Sequence, residues 1–422
     1  MKTLILGMFH LRRKSLINLE NKLQLTKTEL NGLHSALRLT LFCGRMMGVV
    51  PLTGLMNTRS YELRFQFLSF YTILYFVSSV GQILMFIMSF YWVLENQISL
   101  TNMTNFLFYT SGSVSLFILA TVCQRWPRLV AKVESIEQKL PPLSNHVIKL
   151  CNITMSSILF AALVEHLLSI LYGVTVATAC DSKNIAETFF RYDKPWIFTY
   201  TRYSLWKGIL IEVFNIQSTF IWSYSDLLIM VISIYVTEHF KLHNKLMKEA
   251  AQHELFNCDE FRVQHMLLIR LVKLINETIG IYILNCFGSN LYWICTQLYF
   301  SMSKNNTGHF VSCLIKNQGS NIVHGIEHTI YYTYSFAFLV VRTMLVLLLA
   351  ARVHSASTVP LILLYRIPNS RFNIEVERFI GQINNIKVAL SGLDFFYVTK
   401  TMILTLLGTI VTYELVMLQF IK

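Results

Sequence analysis

One predicted helix carries a face of polar and aromatic side chains that could bind a polyhydroxylated small molecule. Its members follow one another by three, four, three and four residues, so a helix places them on one side: Glu212, Asn215, Thr219, Trp222 and Asp226. Carboxylates and amides exchange hydrogen bonds with hydroxyl groups, and an aromatic face stacks against the C–H side of a sugar ring. These are the groups that carbohydrate sites use. Asp226 lies deeper than a shallow pocket would reach.

Three further predicted helices carry comparable faces. These faces are Asn285, Ser289, Tyr292, Trp293 and Thr296; Glu165, His166, Ser169 and Tyr172; and His328, Tyr331, Tyr332 and Ser335. Taken alone, each is more often packing or interhelical hydrogen bonding than a binding site, at odds of roughly two to one. Together they favour one polar cavity with aromatic walls, and the predicted ligand-binding residues are Glu165, His166, Tyr172, Glu212, Asn215, Trp222, Tyr292, Trp293, Thr296, His328, Tyr331 and Tyr332.

The last two dozen residues form an apolar run with a stripe of hydroxyl and amide groups. Steps of four, three, four and three place five residues on one helical face, with Phe420 beside them: Thr405, Thr409, Thr412, Val416 and Gln419. The stripe either lines a water-filled path or consists of hydroxyls that bond back to the preceding turn and pack against a neighbour. Tyr413 and Glu414 lie about 100° and 200° around the helix from Thr412 and should face neighbouring helices. Glu414 either makes a structural or gating contact or reaches interfacial water.

The composition excludes a soluble globular protein. Of 422 residues, 54% are hydrophobic and 14% are charged, and the mean hydropathy is +0.49. Such a chain is an all-helical integral membrane protein. The net charge of +13 does not indicate nucleic-acid binding, because the basic residues lie between long apolar runs and do not form one basic domain. Orientation in the bilayer explains them better.

Seven apolar runs predict seven transmembrane helices, since about 20 residues cross a hydrocarbon core. The runs are 67–94, 102–123, 146–178, 209–236, 278–300, 327–350 and 397–422. Basic residues are abundant before the first run and after the second, fourth and sixth. The positive-inside rule therefore predicts a cytosolic N-terminus and an extracellular C-terminus, opposite to a G-protein-coupled receptor. The loop 179–207 opposes this assignment with five lysines and arginines, but the other loops outweigh it.

The predicted spans divide the chain into four parts. Residues 1–66 form a cytosolic arm, 67–350 a six-span ligand-binding bundle with cytosolic helix extensions, 351–396 a cytosolic connector, and 397–422 the seventh span. Within the connector, Glu375 and Arg378 have helical spacing and are predicted to be structural or gating residues. Asn102 and Asn305 begin sequons in predicted external loops and are candidate glycosylation sites.

The cysteines and the other reactive side chains point to no catalytic or metal chemistry. Eight cysteines contain no CxxC pair and no histidine at metal-ligand spacing, so we expect neither a metal nor another cofactor. Cys180 and Cys313 lie in predicted external loops and are either bridged or unpaired. No nucleophile, base and orienting group recur at a usable spacing, so we do not expect an enzyme.

The end of the chain resembles the signature that closes insect gustatory receptors. Thr412-Tyr413 is followed, after five residues, by Gln419-Phe420. Upstream positions are similar to the sugar-receptor branch of that family: Arg342, Ala350-Ala351, Pro360, Pro368, Glu375-Val376, Arg378-Phe379, Gln382, Ala389 to Gly392, Phe395-Phe396, and Gly408 to Val416 with Glu414. The detailed resemblance covers the C-terminal part of the chain, and the first half matches mainly in topology.

The resemblance implies a tetrameric, ligand-gated cation channel of the plasma membrane whose seventh helices line a central pore. In that arrangement the threonine hydroxyls replace part of a cation's water shell without a fixed charge. Val416 or Phe420 closes the external end, where Gln419 offers carbonyl oxygens when the path opens. The implied partners are a small-molecule sugar, the lipid bilayer and further gustatory receptor subunits in a homo- or heterotetramer, with no nucleic acid.

Several functions follow from these patterns. The first is a gustatory receptor acting as a sugar-gated, non-selective cation channel in taste or nutrient sensing. Alternatives are a gustatory receptor channel for a non-sugar tastant and a non-conducting seven-span receptor that signals through cytosolic partners. A solute carrier would show inverted repeats or broken half-helices, and the sequence shows neither.

Overall fold

The computed structural model describes residues 32–56, 62–96, 100–252, 257–302, 323–369 and 372–419. The predictions made for Asn305, Cys313 and Phe420 lie outside these ranges. The helices are α1 (Leu33–Met46), α2 (Phe70–Glu95), α3 (Leu100–Glu137), α4 (Asn145–Cys180), α5 (Ile185–Asp193), α6 (Pro195–Phe198), α7 (Leu205–Gln252), α8 (Cys258–Met302), α9 (Val323–Ser357), α10 (Pro360–Leu364), α11 (Ile374–Asn385) and α12 (Lys400–Gln419). Strands β1 (Ser391–Gly392) and β2 (Phe396–Tyr397) pair antiparallel.

Each of the seven predicted spans coincides with one long helix: α2, α3, α4, α7, α8, α9 or α12. Five of them, α2, α3, α4, α7 and α9, are long and apolar enough to cross a membrane. By the same measure α8 falls short, and α12 is counted over Lys400–Tyr413, the part of this helix before the first side chain that the structure does not describe. The prediction of a helical membrane protein is confirmed, and a two-stranded hairpin is its one departure from an all-helical fold among the described residues. The count of seven spans and their orientation stay predictions.

Helix α7 is the centre of the bundle. In its most apolar window 83% of the residues are buried, against 28% for α2 and for α4. Large side chains such as Tyr224, Leu228 and Tyr235 are fully enclosed by the surrounding helices. With 48 residues α7 is about 72 Å long, more than twice the thickness of a hydrocarbon core. Its continuity beyond Val236 agrees with the predicted helix extension.

Helix α2 lies at the periphery and exposes an apolar side. Phe76, Val80 and Ile87 on this side are each about half exposed. Its polar residues point the other way, since Ser78 and Gln82 are buried against α7. An apolar outer face combined with a polar inner face is what a helix at the lipid boundary requires.

The two ends of the bundle differ in structure. We call the end that carries α5 and α6 the apical end, and the sequence predicts it to be extracellular. The opposite end, called basal, contains α10, α11 and the adjoining ends of α7 and α8. Its own apolar core includes Met247, Phe261, Leu364 and Phe379. The N-terminus of α11 is capped by Asn373, whose side chain accepts hydrogen bonds from the backbone N–H groups of Glu375 and Val376.

A short hairpin turns the chain from α11 into α12. Leu393 and Asp394 have φ of 52° and 60°, the left-handed values of a type I′ turn, and the Phe395 N–H donates to the Gly392 carbonyl at 3.1 Å across this turn. Asn276 of α8 holds the first strand: its amide donates to the Ala389 carbonyl at 2.9 Å and accepts from the Ser391 N–H at 3.2 Å. The start of α12 is therefore fixed to α8.

Candidate functional site

A partly buried charge cluster lies at the apical end of α7 and α4. The carboxylate of Glu212 lies 3.4 Å from His166 Nε2 and 3.7 Å from Lys194 Nζ, and it accepts a hydrogen bond from Asn215 at 3.2 Å. Tyr109 of α3 donates to the Asn215 side chain at 3.1 Å. Three predicted ligand residues, Glu212, His166 and Asn215, are thus brought together.

Lys194 is the member of this cluster that the sequence did not single out. It lies between α5 and α6, and only 4% of it is exposed. Burial lowers its pKa, but the neighbouring Asp193 carboxylate, Tyr109 and Glu212 outweigh burial and raise it above the usual range. Lys194 therefore stays protonated and ties the apical loop to α7. In the sequence, Lys194 is only one of the five lysines and arginines of the loop 179–207, whose positive charge opposes an external location.

An aromatic wall lies deeper between α3, α7 and α8. The ring centroids of Trp222 and Trp293 are 5.7 Å apart, and Phe108 lies 6.5 Å and 6.0 Å from them. Tyr292 lies edge-on to Trp293 at 5.2 Å. The predicted Trp222, Tyr292 and Trp293 therefore form one wall, and Phe108 completes it. Thr296, one turn further along α8, is buried.

A second aromatic group joins α4 to α9. Tyr172 stacks on Tyr331 with centroids 5.8 Å apart and lies 5.2 Å from His328, which in turn stacks on Tyr332 at 6.1 Å. All four are predicted ligand residues. Tyr331 is within electrostatic range of Glu165 and Lys194, so this group adjoins the charge cluster.

Some buried polar atoms of this apical region accept no hydrogen bond from the described residues. Glu165 accepts one from Ser335 at 2.6 Å through Oε1, while its Oε2 has no partner. Glu212 Oε2 likewise accepts no hydrogen bond, although it lies 3.7 Å from Lys194 Nζ. An unsatisfied buried oxygen is costly unless water or a ligand hydroxyl reaches it. These oxygens are positions where a polyhydroxylated molecule would gain affinity.

The deepest part of the region is a narrow polar cavity between α3, α7 and α8. Its lining is Ser111, Ser115, Trp222, Ser225, Asn285, Cys286, Ser289 and Asn290. The centre of a water molecule can occupy about 10 Å³ of this cavity, so the cavity has room for about one water molecule. Ligand binding here therefore requires the helices to separate.

Asp226 is not among the residues that line this cavity. Asp226 Oδ2 lies 2.7 Å from Arg342 Nε on α9, and both side chains are fully buried. Its regular spacing with Glu212 put it on the same face, yet spacing alone does not show which helix faces it. Thr219 bonds back to the Asn215 carbonyl at 3.2 Å.

The predicted stripe on α12 lies on the surface of the single chain. Thr405, Thr409, Thr412 and Val416 are all exposed. Each threonine hydroxyl donates to the carbonyl four residues earlier, at 3.3, 2.9 and 2.9 Å in order. Such back-bonding is one of the alternatives that the sequence left open, and it leaves the oxygen lone pairs available. Helix α12 includes Glu414 and Gln419, whose side-chain roles stay predictions.

Beside the stripe, α12 exposes a broad apolar surface. Leu404, Leu407, Val411 and Leu415 are each between 45% and 71% exposed. Tyr413 is 43% exposed on the same helix.

The predicted residues of the connector hold α11 against α8. Arg262 of α8 donates to Glu375 at 2.9 Å and to Asp259 at 2.7 Å, and Arg378 donates to the other oxygen of Glu375 at 2.6 Å. Glu375 is therefore the shared acceptor between the two helices.

Asn102, a candidate glycosylation site, lies at the start of α3 with its side chain engaged in hydrogen bonds. Its amide oxygen accepts from the indole N–H of Trp92, and its amide nitrogen donates to the Asn96 carbonyl.

A buried imidazole near the basal end was not predicted. His265 is 0% exposed; its Nε2 lies 3.1 Å from the Ser357 carbonyl and its Nδ1 lies 3.2 Å from the Gln382 amide nitrogen. These two contacts fix the neutral form with the proton on Nε2. Burial lowers the pKa of His265 to about 4. The imidazole joins α8 to both α9 and α11, and no periodic pattern reveals such a contact.

Comparison with known proteins gives a consistent result. Residues 18–422 match the family described as trehalose receptor. The chain is 27% identical to the gustatory receptor for sugar taste 64f of Drosophila melanogaster over 398 residues, which is 92% of this chain and 80% of that protein. It is also 27% identical to the gustatory receptor 5a for trehalose of the same species, over 74% of this chain and 68% of that protein.

Solved structures share the fold. The insect olfactory receptor OR5 from Machilis hrabei, in complex with eugenol, superposes with a TM-score of 0.63 over 91% of this chain and 97% of that chain, at 16% identity. A second structure of the same receptor gives a TM-score of 0.62 at 14% identity. At this identity the likeness concerns the fold alone.

Proposed function

We propose that this chain, which belongs to the trehalose receptor family, is a sugar-gated, non-selective cation channel of the plasma membrane. It is a multi-pass membrane protein of the sugar branch of the insect gustatory receptors, and its relatives are receptors and not enzymes. Two of these relatives are named for sugar taste and for trehalose. Trehalose is therefore the first ligand to test.

The observation that carries the sugar assignment is the polar cluster of Glu212, His166 and Asn215 close to the aromatic wall. Tyr109 donates to Asn215 and lies 5.1 Å from Phe108, so hydrogen-bonding groups and ring faces are continuous. A sugar presents hydroxyls around its rim and C–H groups on its faces, and both halves of the site match. We place the pocket among α3, α4, α7, α8 and α9.

The pore assignment depends on the exposed side of α12. Four copies of α12 around one axis would bring together the exposed Thr405, Thr409, Thr412 and Val416. The exposed leucines and valines would then pack between subunits or against lipid, and this packing would cover the apolar surface of α12. Hydroxyl oxygens without a fixed charge predict weak selectivity among monovalent cations. The connector, through Glu375 and Arg378, would hold each α12 to its own bundle.

Recording of the chain expressed alone tests this proposal. We expect an inward cation current on application of trehalose or another member of a sugar panel. A current evoked only by bitter compounds would replace the sugar assignment and keep the channel. Surface protein that binds sugar without any current would favour the non-conducting receptor.

A further inference from the structure

Three buried side chains and the half-buried Trp222 form a closed ring of contacts across three helices. Arg342 Nε of α9 lies 2.7 Å from Asp226 Oδ2 of α7, and Asp226 Oδ1 accepts from Asn290 of α8 at 2.6 Å. Asn290 in turn accepts from the indole N–H of Trp222 at 3.3 Å. The guanidinium of Arg342 lies 4.3 Å from the Trp222 ring centroid, which closes the ring.

The ring is a strong constraint because its charges have few other partners. Asp226 and Arg342 are each 0% exposed, and Asn290 is 1% exposed. Outside the ring, Arg342 donates to Ser223 at 2.7 Å, and its second terminal nitrogen has no hydrogen-bond partner among the described residues. A buried charge that loses its partner is strongly destabilised. Movement of α7 relative to α9 therefore has to preserve or replace these contacts.

Trp222 belongs both to the ring and to the candidate ligand site. It stands 5.7 Å from Trp293 in the aromatic wall, and it lines the narrow cavity together with Asn290. That cavity has room for about one water molecule. A sugar that stacks on Trp222 must displace it from the position that Arg342 and Asn290 hold. The contacts of the ring thus favour the arrangement in which the cavity stays this narrow, which we call the contracted arrangement.

The same wall leads to α12. Trp293 lies 5.2 Å from Tyr292, and Tyr292 is within electrostatic range of Tyr413 on α12. Helix α12 packs against α8 and α9, the two helices that the ring joins to α7. A displacement of Trp222 can therefore be passed on through α8, which carries Trp293 and packs against the helix proposed to line the pore.

We propose that Arg342 is a positioning residue that holds Trp222 and the α7–α9 contact in the contracted arrangement, in which the channel does not conduct. Sugar binding then opens the channel by displacing Trp222 from its contact with Arg342. This inference rests on the proposed sugar-gated channel and adds how the site is regulated. A ligand shifts such an equilibrium only by its preference for one arrangement. Weakening the ring should then open the channel without sugar.

The test compares three variants by whole-cell recording with trehalose, each normalised to surface protein. The double variant Arg342→Gln with Asp226→Asn removes both charges and leaves neither unpaired. Arg342→Lys keeps the charge but loses the planar stacking on Trp222. Arg352→Gln is the matched control, because Arg352 is exposed on the same helix.

We expect the double variant to raise the ligand-free open fraction about tenfold and to lower the half-maximal trehalose concentration, within the usual range of coupling between sites. Arg342→Lys should lie between wild type and the double variant, and it carries the test if the double variant does not reach the surface. A ligand-free fraction equal to that of Arg352→Gln, in a channel that still responds to trehalose, overturns the inference. A wild-type chain without any sugar response instead overturns the proposed function.

Discussion

Replacing Glu212 with glutamine removes one negative charge from the apical cluster and keeps the size of the side chain. The carboxylate faces Asn215 at 3.2 Å, His166 at 3.4 Å and Lys194 at 3.7 Å. Lys194 keeps its ion pair with Asp193, so the apical loop retains its main electrostatic contact. The variant should therefore fold and reach the cell surface.

The expected effect on sugar response follows from the hydrogen bond that the carboxylate would make. Hydrogen bonds to charged groups contribute about 1.5–3 kcal/mol, and neutral ones about 0.5–1.5 kcal/mol. The difference, about 1–1.5 kcal/mol, corresponds to roughly a five- to tenfold increase in the half-maximal trehalose concentration. The maximal current per surface receptor should not change.

The assay is a trehalose dose–response curve with surface protein measured on the same cells. Glu238→Gln is the matched control, because Glu238 lies on the same helix near the basal end and pairs with Lys241 at 2.6 Å. An unchanged half-maximal concentration in Glu212→Gln would refute the placement of the site. Loss of surface protein without a shift in the curve would show that Glu212 serves folding.

Three further predictions concern the pore, the basal core and the hairpin. Thr412→Val keeps the shape and removes a hydroxyl from the exposed stripe, so relative permeability among cations should change; identical permeability at normal surface expression would exclude Thr412 from the pore. Because the pKa of His265 is lowered to about 4 by burial, the folded state resists protonation, and stability should fall as pH drops from about 6.5 towards 4, by about 3 kcal/mol at most. Thermal unfolding of purified protein at pH 7 and pH 5 should show this loss, and His265→Asn should reduce it; equal unfolding temperatures at both pH values would contradict the assignment. Asn276→Ala leaves a buried carbonyl and a buried N–H of the hairpin unpaired and should lower the free energy of unfolding by about 1–3 kcal/mol for each group. Asn384→Ala, at an exposed site, is its control, and an equal unfolding temperature in both variants would show that the hairpin does not depend on Asn276.

The helices could be predicted because each depends on one local property of the sequence. Apolar runs of membrane length locate all seven long helices, and the continuation of α7 follows from amphipathic charge after Val236. The faces of single helices were also predictable: Glu212 and Asn215, or Tyr331 and Tyr332, lie where helical spacing puts them. Periodicity determines which side of a helix a residue occupies, and this is enough to assemble candidate walls.

The contacts between helices could not be predicted from periodicity. Asp226 shares a face with Glu212, yet in the structure it pairs with Arg342, a residue of another helix that spacing cannot locate. Lys194 appeared only as an unexpected loop cation, although it is buried beside Glu212. His265 likewise depends on which carbonyl and amide the fold brings to its ring. Partners separated by many residues are set by packing, and one sequence contains no record of them.

Cation flux through liposomes that contain only the purified chain is the decisive experiment for a sugar-gated channel, because every other subunit and cytosolic partner is removed. We expect trehalose, or another sugar that binds the protein, to accelerate sodium and potassium flux by similar factors. Glu212→Gln should require roughly five to ten times more trehalose for the same flux. Sugar binding to the reconstituted protein without any flux would contradict the proposed channel and identify a receptor that does not conduct.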